Sequence, residues 1–132
     1  VDHAASQGVI IALENYARQP GNRLSELIHI LDNLRAPALM TNIDIGNYAT
    51  NGDDVVTAIR ALGDRAVYAH LKDKSGASSD DTTTLGRGTL PMRAIVTALN
   101  ALPQEMIYCF EFGGGGEADT RIRQSLAYLH RF

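Results

Sequence analysis

The sequence predicts an α/β fold made of four βα units with parallel strands. Four short apolar runs lack the polar–apolar alternation of a half-exposed strand, which is typical of strands buried on both faces of a parallel sheet. Each run is followed by a stretch whose apolar residues recur at helical spacing. Strict alternation of strands and helices implies parallel strands joined by right-handed crossovers.

The four strands are predicted near residues 9–14, 39–45, 66–72 and 106–112. The first, VIIALE, is apolar until it reaches Glu14. The other three contain LMTNID, AVYAHLK and MIYCFEF, and each also carries a polar or charged residue near its carboxyl end.

Each strand is followed by a predicted amphipathic helix. The apolar stripes of these helices lie within residues 24–34, 55–62, 92–102 and 122–129. Asp53 or Asp54 is expected to cap the second helix, because an aspartate at this position accepts a backbone N–H. Gly63 is expected to end that helix, and Asp119 is expected to cap the fourth.

The chain starts with Val1 rather than Met, and residues 1–7 followed by Gly8 have the pattern of a last helical turn closed by glycine. Because this helix has no beginning, we expect the chain to be part of a longer one, although a processed or trimmed chain would start in the same way. The 132 residues themselves are expected to form a single domain, since domains usually have roughly 100–200 residues.

The composition excludes several classes of protein. With 45% hydrophobic and 20% charged residues the chain can form a core, which excludes wholesale disorder. A net charge of −3 argues against a nucleic-acid-binding protein, which would carry a basic face. One Cys excludes a disulfide framework. No apolar run approaches the ~20 residues of a membrane span and no signal peptide is visible, so we expect a cytoplasmic protein without membrane contact.

Two segments interrupt the compact spacing. Residues 73–90, DKSGASSDDTTTLGRGTL, form a long stretch without periodicity, which is typical of a functional lid or of local disorder. The four glycines at 113–116 join the last strand to its helix. They form either a flexible connection or a phosphate site at a helix N-terminus, and Glu117 and Asp119 nearby would repel an anion.

Each predicted strand ends in a residue that can bind a metal ion, namely Glu14, Asp44, His70 and Glu111. In parallel α/β folds the sites lie at the carboxyl ends of the strands, where one inward side chain from each strand can reach a common centre. A lone acid here is more often a helix cap and a lone His a satisfied core residue, but four in corresponding positions point to a joint site. Three carboxylates and an imidazole suit Mn²⁺, Mg²⁺ or Co²⁺ better than a thiolate-preferring ion, and Zn²⁺ is a further candidate.

Five short motifs occur in a fixed order along the chain. They are ALEN at 12–15, NIDIGN at 42–47, AHLKD at 69–73, LGRG at 85–88 and FEFGG at 110–114. Together they resemble the C-terminal half of the sugar phosphate isomerase/epimerase family, the xylose-isomerase-like TIM barrels. The resemblance covers essentially the whole chain. It implies that the four strands correspond to the fifth to eighth strands of a (β/α)8 barrel, and that the family's metal ligands fall on the four residues named above.

The resemblance implies a metal-dependent sugar or sugar phosphate isomerase or epimerase that works through an enediolate. Glu14 and Glu111 would be the acid/base pair, while Asp44 and His70 would be mainly ligands. The sequence does not choose between isomerisation, with one base on one face, and epimerisation, with two bases on opposite faces.

Three further residues are candidates for substrate binding. Asn47 stands where some ketose epimerases of the family carry a substrate-binding His, and Lys72 and Arg87 can contact a substrate hydroxyl or phosphate. The ketose 3-epimerases place an Arg six residues after the ligand His, whereas this chain has Gly76, which argues against that activity.

Two alternative functions stay open. One is a dehydratase of a keto-sugar or inosose on the same fold, because that reaction also begins with removal of a proton next to a carbonyl. The other is a non-catalytic half-barrel, as a fragment or assembly module. Because four βα units leave open sheet edges, we expect a homo-oligomer or pairing with a missing N-terminal half.

Overall fold

A computed structural model describes residues 1–78, 80–113 and 115–132. The helices are α1 (Asp2–Ser6), α2 (Leu24–Leu34), α3 (Ile45–Asn51), α4 (Val55–Leu62), α5 (Met92–Asn100) and α6 (Ala118–Leu129). The strands are β1 (Ile11–Glu14), β2 (Leu39–Asp44), β3 (Ala66–Leu71), β4 (Asp73–Lys74), β5 (Thr82–Thr83) and β6 (Ile107–Phe110). Short 3₁₀ turns cover Gly63–Arg65 and Gly115–Glu117.

Four parallel strands form the main sheet, in the order β1–β2–β3–β6. The register places Asp44 beside His70 and His70 beside Cys109. The predicted α/β fold with four parallel βα units is therefore confirmed. All four strands are shorter than predicted. Val9 and Ile10 precede β1, and β2 and β3 each end one residue early. Met106, Glu111 and Phe112 lie outside β6.

Helices α2 to α6 contribute side chains to a core packed against one face of this sheet. Ile43, Ala69 and Leu71 of the sheet are fully buried in one cluster with helical residues such as Leu27 and Ile59. Side chains alternate across a strand, so the neighbours of these core residues point to the other face of the sheet. That face carries the polar residues at the strand ends.

Both outer strands have one unpaired edge among the described residues, since β1 pairs with β2 and β6 with β3. Apolar side chains are exposed at these edges, among them Ile11 (39%) and Ile107 (62%). The sheet is thus open at both sides. No helix in the described part of the chain combines the length and apolarity needed to cross a membrane.

The helix caps agree with the sequence predictions in three places, one of them Gly63 as the C-cap of α4, and differ in one. Asp54 caps α4 by accepting a hydrogen bond from the backbone N–H of Thr57, as predicted. Gly8 is left-handed after α1, with φ 66°. The prediction that Asp119 caps the last helix is wrong: Glu117 occupies the N-cap, and Asp119 lies in the first turn, where it pairs with Arg123.

Helix α3 was not expected from the sequence. It follows β2 without an intervening loop, and its N-cap is Asp44, which accepts a hydrogen bond from the backbone N–H of Asn47. Its seven residues are too few to show an apolar stripe at helical spacing. A residue predicted as a ligand therefore also begins a helix.

Residues 73–90 contain more regular structure than predicted. Strands β4 and β5 form a small antiparallel hairpin. The buried Asp73 carboxylate accepts hydrogen bonds from four backbone N–H groups of the segment, those of Lys74, Gly86, Gly88 and Leu90. This carboxylate therefore organises the loop. Ser79, within the same segment, and Gly114, within the predicted glycine run, lie outside the described residues.

Candidate metal centre

Glu14, Asp44, His70 and Glu111 come together at the carboxyl ends of the four parallel strands. Each offers one ligand atom, and these atoms all lie within 4.8 Å of one another. We call these residues the four-residue cluster. Nδ1 of His70 lies 3.3 Å from Oε1 of Glu14, 3.2 Å from Oε2 of Glu111 and 3.9 Å from Oδ2 of Asp44.

The dimensions of the cluster fit a divalent ion. Metal–ligand bonds of about 2.0–2.2 Å place opposite ligand atoms roughly 4–4.4 Å apart, so a spread within 4.8 Å needs only a small contraction. Oδ2 of Asp44 is buried and has no aligned hydrogen-bond donor in the described part of the chain. The cluster therefore offers a buried carboxylate oxygen together with two more carboxylates and an imidazole, a donor set suited to such an ion.

Lys72 supplies a positive charge to the same place. Its Nζ lies 2.7 Å from Oδ2 of Asp44, as an ion pair, and 2.8 Å from Oε2 of Glu111, as a hydrogen bond. The lysine is 7% exposed, so this pairing takes place away from bulk solvent.

The two carboxyl groups beside Lys72 have shifted pKa values. Burial raises the pKa of Asp44 to about 7, an effect larger than the lowering by Lys72. Burial also raises the pKa of Glu111. Lys72 and a hydrogen bond with Asp44 lower this pKa by more than burial raises it, so it lies below its ordinary value. The pKa of Asp44 therefore lies above that of Glu111. Burial lowers the pKa of Lys72, but its two acidic partners raise it more, so the ammonium stays charged.

Two asparagines support the cluster, and the sequence analysis did not identify either. The fully buried Asn15 donates a hydrogen bond from Nδ2 to the backbone carbonyl of Asp44 at 3.0 Å and accepts one from its backbone N–H at 2.8 Å. Nδ2 of Asn42 lies 3.3 Å from Nδ1 of His70 and 3.4 Å from Nε2. Their positions in the sequence are the available signal. Asn15 directly follows Glu14, and Asn42 lies two residues before Asp44 and so on the same face of β2.

The three predicted substrate-binding residues occupy different environments. Asn47 is buried in α3 next to Asp44. Lys72 lines a cavity of about 410 Å³ together with Thr82 and Glu111. Arg87 is exposed and lines another cleft, whose walls include Gln124, Tyr128 and Arg131. The structure therefore brings Lys72 and Asn47 to the cluster and places Arg87 beside α6.

The sequence matches the profile of the xylose isomerase-like TIM barrel family over residues 1–132. An uncharacterised protein of Mycobacterium leprae is 32% identical over 80 residues, which cover 61% of this chain and 29% of that protein.

Solved structures show the same fold. The probable 3-DHS dehydratase AsbF from Bacillus anthracis superposes with a TM-score of 0.87 at 16% identity, over 99% of this chain and 53% of that one. D-allulose 3-epimerase from Methylomonas sp. superposes with a TM-score of 0.72 at 23% identity, over 96% of this chain and 43% of that one. An IOLI protein with a bound zinc atom superposes with a TM-score of 0.78 at 16% identity, over 96% of this chain and 49% of that one. The chain thus spans about half the length of these structures, and identities this low show the fold alone.

Proposed function

Because the chain belongs to the xylose isomerase-like TIM barrel family, we propose that it carries the divalent-metal site of a sugar or sugar phosphate isomerase or epimerase. The observation behind the proposal is the convergence of Glu14, Asp44, His70 and Glu111 within 4.8 Å at the strand ends. In this proposal residues 1–132 form one domain that corresponds to half of the barrel.

The four residues of the cluster would hold the ion. A bound divalent ion would polarise a substrate carbonyl and stabilise the negative charge that proton removal creates. Mn²⁺, Mg²⁺ and Co²⁺ suit the carboxylate-rich donor set, and the zinc in the IOLI protein keeps Zn²⁺ a candidate.

Glu14 and Glu111 are proposed as the acid/base pair. Glu14 ends the outer strand β1 and Glu111 directly follows the outer strand β6, so they flank the cluster, while Asp44 and His70 lie on the inner strands. Their side chains are 26% and 44% exposed, whereas that of Asp44 is not exposed. Glu14 and Glu111 can therefore reach a substrate on either side of the centre: one removes a proton from carbon and the other delivers one.

Substrate contacts are proposed for Lys72, Asn47 and Arg87. The role is best supported for Lys72, because this residue lines the same cavity as Glu111. Asn47 can donate or accept a hydrogen bond but cannot titrate, so it would bind a hydroxyl without moving a proton. Arg87 would have to reach the substrate from its cleft beside α6.

A dehydratase of a keto-sugar or inosose is the second candidate. The probable dehydratase AsbF superposes over 99% of this chain with a TM-score of 0.87. Both reactions begin with proton removal next to a carbonyl, so the same pair of glutamates serves either. Product analysis separates them, since a dehydratase releases water from the substrate. A non-catalytic half-barrel would show neither reaction.

Glu14→Gln tests the proposed function. Glutamine keeps the size of the side chain but cannot accept the proton, so we expect exchange of the substrate C–H with D₂O, in the Mn²⁺-loaded protein, to fall by roughly 10²–10⁴-fold. Hydrogen–deuterium exchange is followed by NMR across a panel of keto-sugars and their phosphates. Glu105→Gln, a substitution outside the cluster, is the matched control. Exchange at the wild-type rate in Glu14→Gln would remove Glu14 from the acid/base pair.

A further inference from the structure

Lys72 competes for the oxygens that a divalent ion would need. Asp44 has two carboxylate oxygens, and Oδ1 already accepts the hydrogen bond from the backbone N–H of Asn47. The remaining oxygen, Oδ2, lies 2.7 Å from the ammonium of Lys72. The same ammonium lies 2.8 Å from Oε2 of Glu111. This oxygen is also the one that lies 3.2 Å from Nδ1 of His70. The ammonium thus pairs with Oδ2 of Asp44 and Oε2 of Glu111, the carboxylate oxygens that face the centre of the cluster.

The fold makes room for the lysine in this position. A Cβ atom added at Gly46, near the start of α3, would lie 2.7 Å from both Cγ and Cε of Lys72. Carbon atoms do not approach so closely without a shift, so the absence of a side chain at Gly46 opens the slot that the lysine stem occupies. The placement of the ammonium therefore follows from packing as well as from charge.

We propose that Lys72 is a built-in counter-ion of the metal-free cluster, which a divalent ion must displace from Asp44 and Glu111 in order to bind. This inference rests on the proposed metal site. Without an ion, three carboxylates lie close together, and the ammonium offsets their repulsion. With an ion bound to the same oxygens, a second positive charge within a few ångströms is unfavourable. The cavity of about 410 Å³ that Lys72 lines with Thr82 and Glu111 gives the side chain room to move.

Lys72→Met tests the proposal by removing the charge while keeping most of the stem. We expect the variant to bind Mn²⁺ at least about tenfold more tightly than the wild type in isothermal titration calorimetry. Its metal-free form should melt at a lower temperature, and Mn²⁺ should raise its Tm by more than it raises that of the wild type.

Lys74→Met is the matched control, because it is the same substitution at another buried lysine, whose ammonium donates to the carbonyl of Ser78. Its affinity for Mn²⁺ should stay within about twofold of the wild-type value. Equal or weaker binding by Lys72→Met than by the wild type would overturn the proposal and leave the metal site standing. If neither the wild type nor Lys72→Met binds Mn²⁺, the proposed metal site is overturned and the inference with it.

A measurement on the wild type covers the case in which Lys72→Met does not fold. In a crystal structure with Mn²⁺ bound to the cluster, we expect Nζ of Lys72 to lie outside hydrogen-bond distance of Oδ2 of Asp44. A bound ion with Nζ still paired to both Asp44 and Glu111 would contradict the displacement.

Discussion

Asn15 shows how a single uncharged residue fixes a proposed metal ligand. Its amide makes a pair of hydrogen bonds with the backbone of Asp44, one in each direction, and both groups are fully buried. The backbone of Asp44 is held in this way from the residue after β1, while its side chain is held by Asn47 and Lys72. The position of the central carboxylate thus depends on contacts across two strands and a helix.

Asn15→Ala should lower both stability and metal affinity. The substitution leaves the buried N–H and C=O of Asp44 unpaired, which costs about 1–3 kcal/mol of unfolding free energy. Loss of such a support typically weakens metal binding by about 10–100-fold. Denaturant unfolding and Mn²⁺ titration measure the two effects. Asn33→Ala, which removes an exposed amide that bonds to His29, is the control and should change neither. Unchanged Mn²⁺ affinity in Asn15→Ala would contradict this role.

Helix α4 illustrates what capping contributes at the scale of an element. Asp54 precedes its first residue and accepts hydrogen bonds from Thr57. These bonds lower the pKa of Asp54 below its ordinary value of 3.8, because they favour the charged carboxylate. The helix buries Val55, Ala58, Ile59 and Leu62 in the core. The cap therefore stabilises an element on which the core depends.

Asp54→Ala should lower the melting temperature by a few degrees at neutral pH. The folded-state pKa of Asp54 is depressed, so its contribution is fully present above the unfolded value of 3.8 and is lost as pH falls through the folded value. The Tm difference between wild type and variant should thus be constant above about pH 4 and shrink in more acid solution. Asp64→Ala, at an exposed position in the turn after α4, is the control. A difference that persists unchanged at pH 2 would refute the cap.

At the scale of the molecule, the open sheet is the dominant feature. The outer strands β1 and β6 each have one unpaired edge in the described part of the chain, and apolar residues are exposed along both. Such edges are templates for pairing with another polypeptide. We propose that four further βα units close the barrel, supplied either by a second copy or by an N-terminal half.

The purified chain should therefore associate. We expect light scattering after size exclusion to show an oligomer, and Ile107→Lys to weaken association at least about tenfold, because Ile107 is 62% exposed at the β6 edge. Leu34→Lys, at an exposed leucine at the end of α2, is the control and should leave the oligomer intact. A folded, concentration-independent monomer would contradict the pairing of the edges.

Much of the fold was predictable because its signals are local. Unalternating apolar runs identified the four parallel strands, and the 3.6-residue period identified α2, α4, α5 and α6. Helix α3 and the β4–β5 hairpin were missed, since they are too short for a period. Asp73, whose carboxylate organises the loop through four backbone N–H groups, gives no local sign of this role.

The sequence by itself determined the order of the βα units and the four strand-end residues of the cluster, because strand direction and side-chain alternation follow from neighbouring residues. Only the tertiary structure decided how these four lie relative to one another and which residues surround them. The positions of Lys72, Asn15 and Gly46 depend on register between strands and on packing against α3. Those contacts join residues far apart in the chain, and no local pattern encodes them.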